Sequence, residues 1–137
     1  MLRRFAVSCI TILTVMILIQ ACAEKVPSRD EIPLIKGLLG KFQTAIMEKN
    51  RAAIDSLMYF EAVELGYSSQ KILEDVYGVD NDRQFYGFGG KEIIYVDDKG
   101  SVKCTLVADT TKGEGLPAEI TIIKKGNSWL VKRFDLK

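Results

Sequence analysis

The sequence predicts an α+β domain: N-terminal helices packed on one face of an antiparallel sheet of about four to five strands. Three observations carry that prediction. Apolar residues between positions 35 and 77 recur at spacings of three and four, the period of an α-helix. From Phe85 onward the pattern changes to period two, the period of a strand with one buried face. Helical segments followed by an unbroken run of strands put the helices on one side of an antiparallel sheet.

The chain opens on a different pattern. Arg3 and Arg4 precede the uncharged residues 5–19. A basic start and a short apolar run form an export signal, and the run is shorter than the roughly 20 apolar residues of a membrane span. Its end, Ile19-Gln20-Ala21-Cys22, resembles a lipobox, the motif of bacterial lipoprotein signals. Ile19 and Ala21 occupy the motif's aliphatic and small positions. The resemblance implies diacylglyceryl transfer to the Cys22 thiol, signal cleavage after Ala21, and acylation of the new amino terminus. Ala21-Cys22-Ala23 is also a small-x-small site, and cleavage after Ala23 would release a soluble periplasmic or secreted product without Cys22. An uncleaved anchor is the third reading. The lipoprotein reading leads, because a cysteine at the end of a signal's apolar run is uncommon unless it is used. Two or more acyl chains, at roughly 0.8 kcal/mol per buried methylene, also anchor stably.

The expected organisation is a signal at residues 1–21 (1–23 for secretory cleavage), a tether at 22–30, and one α+β domain at 31–137. The expected location is the cell envelope, with the domain tethered to the membrane and facing the periplasm or exterior.

Composition narrows the chemistry. After residue 21 there are 17 basic and 18 acidic residues. That balance gives no electrostatic case for nucleic acid. The chain has no histidine, which removes Ser-His and Cys-His catalysis and the commonest zinc ligand. No metal or other cofactor is expected. Cys9 leaves with the signal, Cys22 is acylated or removed, and Cys104 stands alone. An intrachain disulfide is therefore excluded, and the fold must stand on packing. Val102, Cys104, Leu106 and Ala108 alternate with more polar neighbours, so Cys104 is expected as a small buried strand residue.

Each element has its own signal. Residues 23–30 are polar and contain one proline, as a tether would. Asp30 or Ser28 is the expected cap of the first helix, with Glu31 and Pro33 in its first turn. Ile35, Leu38, Leu39, Phe42 and Ile46 form its apolar stripe. Gly37 and Gly40 each weaken it by about 1 kcal/mol against alanine, and are expected to permit close packing against a sheet. Asn50 ends this helix and caps a second, whose buried face is Ala53, Ile54, Leu57 and Met58. Residues 59–67 read as the second helix's tail, ending near Gly66. Ser68 or Ser69 caps a third helix carrying Ile72, Leu73, Val76 and Tyr77, and Gly78 stops it.

Residues 79–83 form a loop. Residues 85–96 are a strand region interrupted by Gly87, Gly89 and Gly90, either a bulge or a loop between two short strands. Residues 97–100 make a hairpin turn, 101–109 a strand, 110–115 a loop, 116–124 a strand, 125–127 a turn and 129–136 the last strand.

This order resembles the nuclear-transport-factor-2-like superfamily. Phe42-Gln43-Thr44-Ala45-Ile46 and then Lys49-Asn50-Arg51-Ala52-Ala53-Ile54 are similar to the family's opening helix and the break into its second. The stretch from Lys124-Lys125-Gly126-Asn127 into Ser128-Trp129-Leu130-Val131 is similar to its final hairpin. A cystatin-like sheet wrapped on one long helix is the structural rival. The resemblance implies a sheet curled into a cone over the helices. It does not select an activity, since members include enzymes, ligand-binding domains and assembly modules.

In the implied cone, Tyr59, Tyr67, Tyr77, Phe85, Tyr86 and Phe88, with Phe60, lie in segments that line the mouth. As ligand-binding candidates they offer an apolar pocket with orienting phenols. As core they fill the cone, and that is the favoured reading. Enzymes in the superfamily's isomerase and dehydratase branches use carboxylates, tyrosines or histidines in the cone. Here Asp80, Asp82 and Glu92 are the acids near Tyr86 that would serve as a proton-transfer base. Residues 79–82 read more simply as a solvated loop and lack the spacing of a calcium loop. Residues 88–91 lack the phosphate-loop spacing. Trp129 is expected at a sheet edge or under the first helix. Lys124, Lys125, Lys132, Arg133 and Lys137 are expected on a solvated strand face, with an acidic-partner surface as the alternative.

The expected activity is non-enzymatic binding of a small apolar ligand or an envelope protein by a tethered domain, with no catalytic residue. The alternatives are an isomerase- or hydrolase-like enzyme using an acid and a tyrosine, and a structural or interaction module with a filled core.

Overall fold

The computed structural model describes residues 30–108 and 115–137. The expected signal, the cleavage site at Ala21 and the lipidation site at Cys22 lie outside the described residues, as does the 110–115 loop except for Gly115. One compact unit spans Glu31–Lys137. Its elements are helices α1 (Ile32–Met47), α2 (Arg51–Ser56), α3 (Phe60–Glu64) and α4 (Ser69–Tyr77), then strands β1 (Phe85–Val96), β2 (Lys99–Ala108), β3 (Leu116–Lys125) and β4 (Ser128–Leu136). The strands pair in the order β1-β2-β3-β4, each antiparallel to the next. The architecture is α+β with an open four-stranded sheet, and β1 and β4 are its edges.

Helix α1 buries Ile35, Leu38, Leu39, Phe42, Ala45 and Ile46. Gly37 and Gly40 do not face the sheet as expected. Both are exposed, and nothing lies within 4 Å of where a Cβ would stand. The reason is angular: at 3.6 residues per turn, Gly37 is about 200° round the helix from Ile35. The helix N-cap is Glu31 rather than Asp30 or Ser28, and its side chain makes no capping bond. It turns to the sheet instead. Glu31 Oε1 meets Lys124 Nζ at 2.8 Å, and Oε2 accepts from Trp129 Nε1 at 2.9 Å. The Glu31 backbone N–H donates to the Tyr95 hydroxyl at 3.4 Å. Trp129 thus sits on an edge strand and reaches the start of the first helix.

Two more polar contacts seat α1. Gln43 Oε1 accepts from the Phe88 N–H at 2.9 Å. Gly87, at φ 137, permits this approach, because an added Cβ would stand 2.9 Å from Gln43 Oε1. At the far end the Tyr77 hydroxyl donates to the Ile46 carbonyl at 2.8 Å, which also accepts from the Lys49 N–H at 3.0 Å, and so ties α1 to α4.

Asn50 caps α2 by accepting from the Ala53 N–H at 3.1 Å. The expected tail at residues 59–67 does not continue α2. The chain leaves the helix at residues 57–59 and pairs with β4: the Tyr59 N–H donates to Val131 O, and the Val131 N–H to Leu57 O, both at 2.8 Å. An edge strand's open backbone groups need partners, and this parallel bridge (Met58 to Val131) supplies them. The five-residue α3 follows, and Gly66 turns at φ 85. Ser68 caps α4 by accepting from the Lys71 N–H at 3.3 Å, and Gly78 stops it at φ 82.

Strand β1 is continuous. Its glycines mark register shifts between Phe85/Gly87 and Gly89/Glu92, so bulges rather than a loop interrupt it. The hairpin turns are two residues each, at 97–98 and 126–127, shorter than expected; Lys99, Gly100 and Lys125 already belong to strands. In β4, Thr121 pairs with Arg133 and Ile122 with Val131, so Lys132 is an extra, bulged residue.

The space between α1 and the sheet is occupied by aromatic rings. Phe88 lies 6.2 Å from Phe42, 5.1 Å from Phe85 and 5.8 Å from Phe134, centroid to centroid. Leu39, Ile46, Val102, Leu106, Ile120, Ile122 and Val131 surround them, all buried. Cys104 is buried in β2.

Replacing Glu31 by alanine leaves Lys124 Nζ and Trp129 Nε1 without their shared acceptor. Since Lys124 is partly solvated, the expected loss is about 2–3 kcal/mol of unfolding free energy, below that of a fully buried pair. Chemical denaturation measures it. A change under 0.5 kcal/mol would contradict the role assigned to Glu31.

Candidate functional site

The bulge in β4 and the 59–67 segment make a cleft at the sheet's edge. Tyr59, Glu61, Ala62, Leu65, Tyr67, Thr121, Lys132 and Arg133 line a volume of about 550 Å³. Each wall has a local cause. The bridge at Val131 fixes Tyr59 beside β4. The Tyr67 hydroxyl donates to the Phe134 carbonyl at 2.7 Å and lies 3.4 Å from Asp135 Oδ1, which ties the segment's far end to the same strand. The turn at Gly66 leaves Leu65 at 86 % exposure beside the cleft.

Cations flank both tyrosines. Lys125 Nζ lies 4.8 Å from the Tyr59 ring centroid. Lys71 Nζ and the Arg133 guanidinium lie 4.9 and 5.8 Å from that of Tyr67. Such approaches are attractive because an aromatic face carries negative quadrupole charge. Arg133 is held by Asp135 at 2.8 Å, and that hydrogen bond and charge push its pKa further up. Asp75, 3.5 Å away, likewise raises Lys71. Lys132 is exposed, and among the described residues no carboxylate pairs with it.

The six aromatic candidates divide. Tyr59 and Tyr67 are half-buried and line the cleft. Tyr77, Phe85 and Phe88 are buried, and their rings pack edge to face: Tyr77 on Phe85 at 6.3 Å, Phe85 on Phe88 at 5.1 Å. Burial also pushes the Tyr77 phenol pKa up. Tyr86 is 54 % exposed on β1, and Phe60 is 71 % exposed at the start of α3. Asp80, Asp82 and Glu92 are all exposed and line no part of the cleft. Among the described residues no three acidic or cysteine side chains converge as a metal site, and Glu31 is the buried carboxylate, already paired.

Sequence reasoning grouped Lys132 and Arg133 with a generic basic face. The missed signal was local. In Trp129-Leu130-Val131-Lys132-Arg133-Phe134, two successive charges break the period-two pattern, as a bulge does.

A second groove, of about 500 Å³, runs between α1 and α2 over Gly37, Gly40, Lys41, Ala53 and Leu57. It contains no aromatic ring. No protein-family model matches the chain, and no curated protein matches it.

Burial pushes the Cys104 thiol up to about 11, against a small opposing pull from Lys91. The unfolded chain releases this proton near pH 9.0. Between those values the unfolded state holds fewer protons than the folded one, so stability falls as pH rises. Denaturation from pH 8 to pH 11 should show that fall, and the fall should be smaller in Cys104→Ala. Equal slopes in the two proteins would refute a buried, proton-retaining thiol.

Proposed function

We propose that this protein is a lipid-anchored domain of the bacterial cell envelope that binds a small ligand, without catalysis, in the cleft beside β4. Tyr59 and Tyr67 are its binding aromatics, and Cys22 is its lipidation site. The lipobox-like Ile19-Gln20-Ala21-Cys22 supports the anchor. The nuclear-transport-factor-2-like plan, with a curved, cone-shaped sheet, is part of the same proposal and rests on the helix-then-hairpin order. One observation carries the choice of site. The space beneath α1 is packed with Phe42, Phe85, Phe88 and Phe134, whereas the cleft offers about 550 Å³ at the surface. That volume lies within the usual range for small-molecule sites, about 300–1,000 Å³.

The enzyme reading draws less support, because its acids Asp80, Asp82 and Glu92 and its Tyr86 are all exposed, and none of them lines the cleft. Docking of an envelope protein is the second reading. Exposed Phe60, Val63 and Leu65 next to the cleft favour it.

Native mass spectrometry of protein extracted from the envelope tests the proposal. The expected spectrum carries acyl mass on Cys22, absent in Cys22→Ser, and a small non-covalent adduct, absent in Thr121→Trp, whose indole occupies the cleft. Unmodified Cys22 would overturn the anchor. An adduct that persists in a folded Thr121→Trp protein would overturn the site.

A further inference from the structure

We infer that the ligand class of this cleft is a small amphipathic monocarboxylate, its apolar body against Tyr59, Tyr67 and Leu65 and its carboxylate on Lys132. The inference rests on the proposed function, in that it takes the cleft as the ligand site, and it adds the ligand's charge.

The charges around the cleft are unequally committed. Two of the lining residues are cations, Lys132 and Arg133, against one carboxylate, Glu61. Arg133 is already bound by Asp135, and Lys71 beside Tyr67 by Asp75. Lys132 pairs with no carboxylate among the described residues. It is also the residue that the β4 bulge removes from the cross-strand register, and bulges commonly re-aim a side chain in this way. Lys132, the cleft-lining ammonium without a carboxylate partner among the described residues, stands next to an apolar wall and suits one negative charge on an otherwise apolar molecule. A second negative charge in the cleft would meet the Glu61 carboxylate, which also lines it.

The test compares 4-phenylbutyrate with its neutral amide, 4-phenylbutyramide. Calorimetric titration uses the full chain in phosphatidylcholine nanodiscs, with empty nanodiscs as blank. The acid should bind about fivefold tighter than the amide, the scale of a solvent-exposed ion pair. Lys132→Gln should bring the two to parity, Lys132→Arg should keep the preference, and Glu61→Gln should enlarge it. Equal binding of acid and amide by the unmodified protein overturns the inference. So does a preference that survives Lys132→Gln, and so does no binding of the acid. The cleft is tested separately. If a folded Thr121→Trp protein loses both probes, the site stands whatever the charge result; if it binds them unchanged, the site itself is wrong.

Discussion

Polar contacts seat α1 at both ends and in the middle: Glu31 and Gln43 tie it to the sheet, and Tyr77 ties it to α4. Glu31 joins the start of the helix to Lys124 on β3 and Trp129 on β4. Gln43 accepts from the outward-facing Phe88 N–H of edge strand β1. Tyr77, on α4, donates to the Ile46 carbonyl in the helix's last turn. Between these ties lies the apolar stripe of α1, on which Phe88 and Phe134 close. With no disulfide available to the domain, this seating has to hold the layers together by packing and satisfied polarity. Small domains have only about 5–15 kcal/mol of net stability, so losing one tie removes a sizeable fraction.

The same seating leaves the space beneath α1 filled by side chains. Rings that pack at centroid distances of 5.1 to 6.5 Å leave the interior to the core. The edge of the sheet is different. β4 bulges at Lys132, accepts a parallel bridge at Val131, and receives the Tyr67 hydroxyl at Phe134. Those three departures from regular pairing protect an exposed edge. They also build a cleft whose walls are aromatic and whose rim is cationic. Edge protection and cleft formation are one structural event.

Much of this was legible in the residues. The stripe at Ile35, Leu38, Leu39, Phe42 and Ile46, the caps at Asn50 and Ser68, and the stop at Gly78 are local signals, and local signals survive folding. Of the aromatics read as core, Tyr77, Phe85 and Phe88 are buried, whereas Phe60 and Tyr86 are exposed. What was not legible is long-range. Nothing near Glu31 tells that its carboxylate leaves the cap for residues 93 and 98 positions away. Nothing in residues 59–67 tells that Val131 will break the helix at Met58. The six aromatics looked like one group because they are close in sequence, but only Tyr59 and Tyr67 share the cleft.

The account's central claim is that the interior is packed shut and small molecules meet the β4 edge. Methyl-labelled protein and 4-phenylbutyrate test it through intermolecular nuclear Overhauser effects. The account predicts contacts from the ligand's phenyl protons to the Ala62 and Leu65 methyls. Contacts to Leu39, Val102 or Ile120, beneath α1, would contradict it.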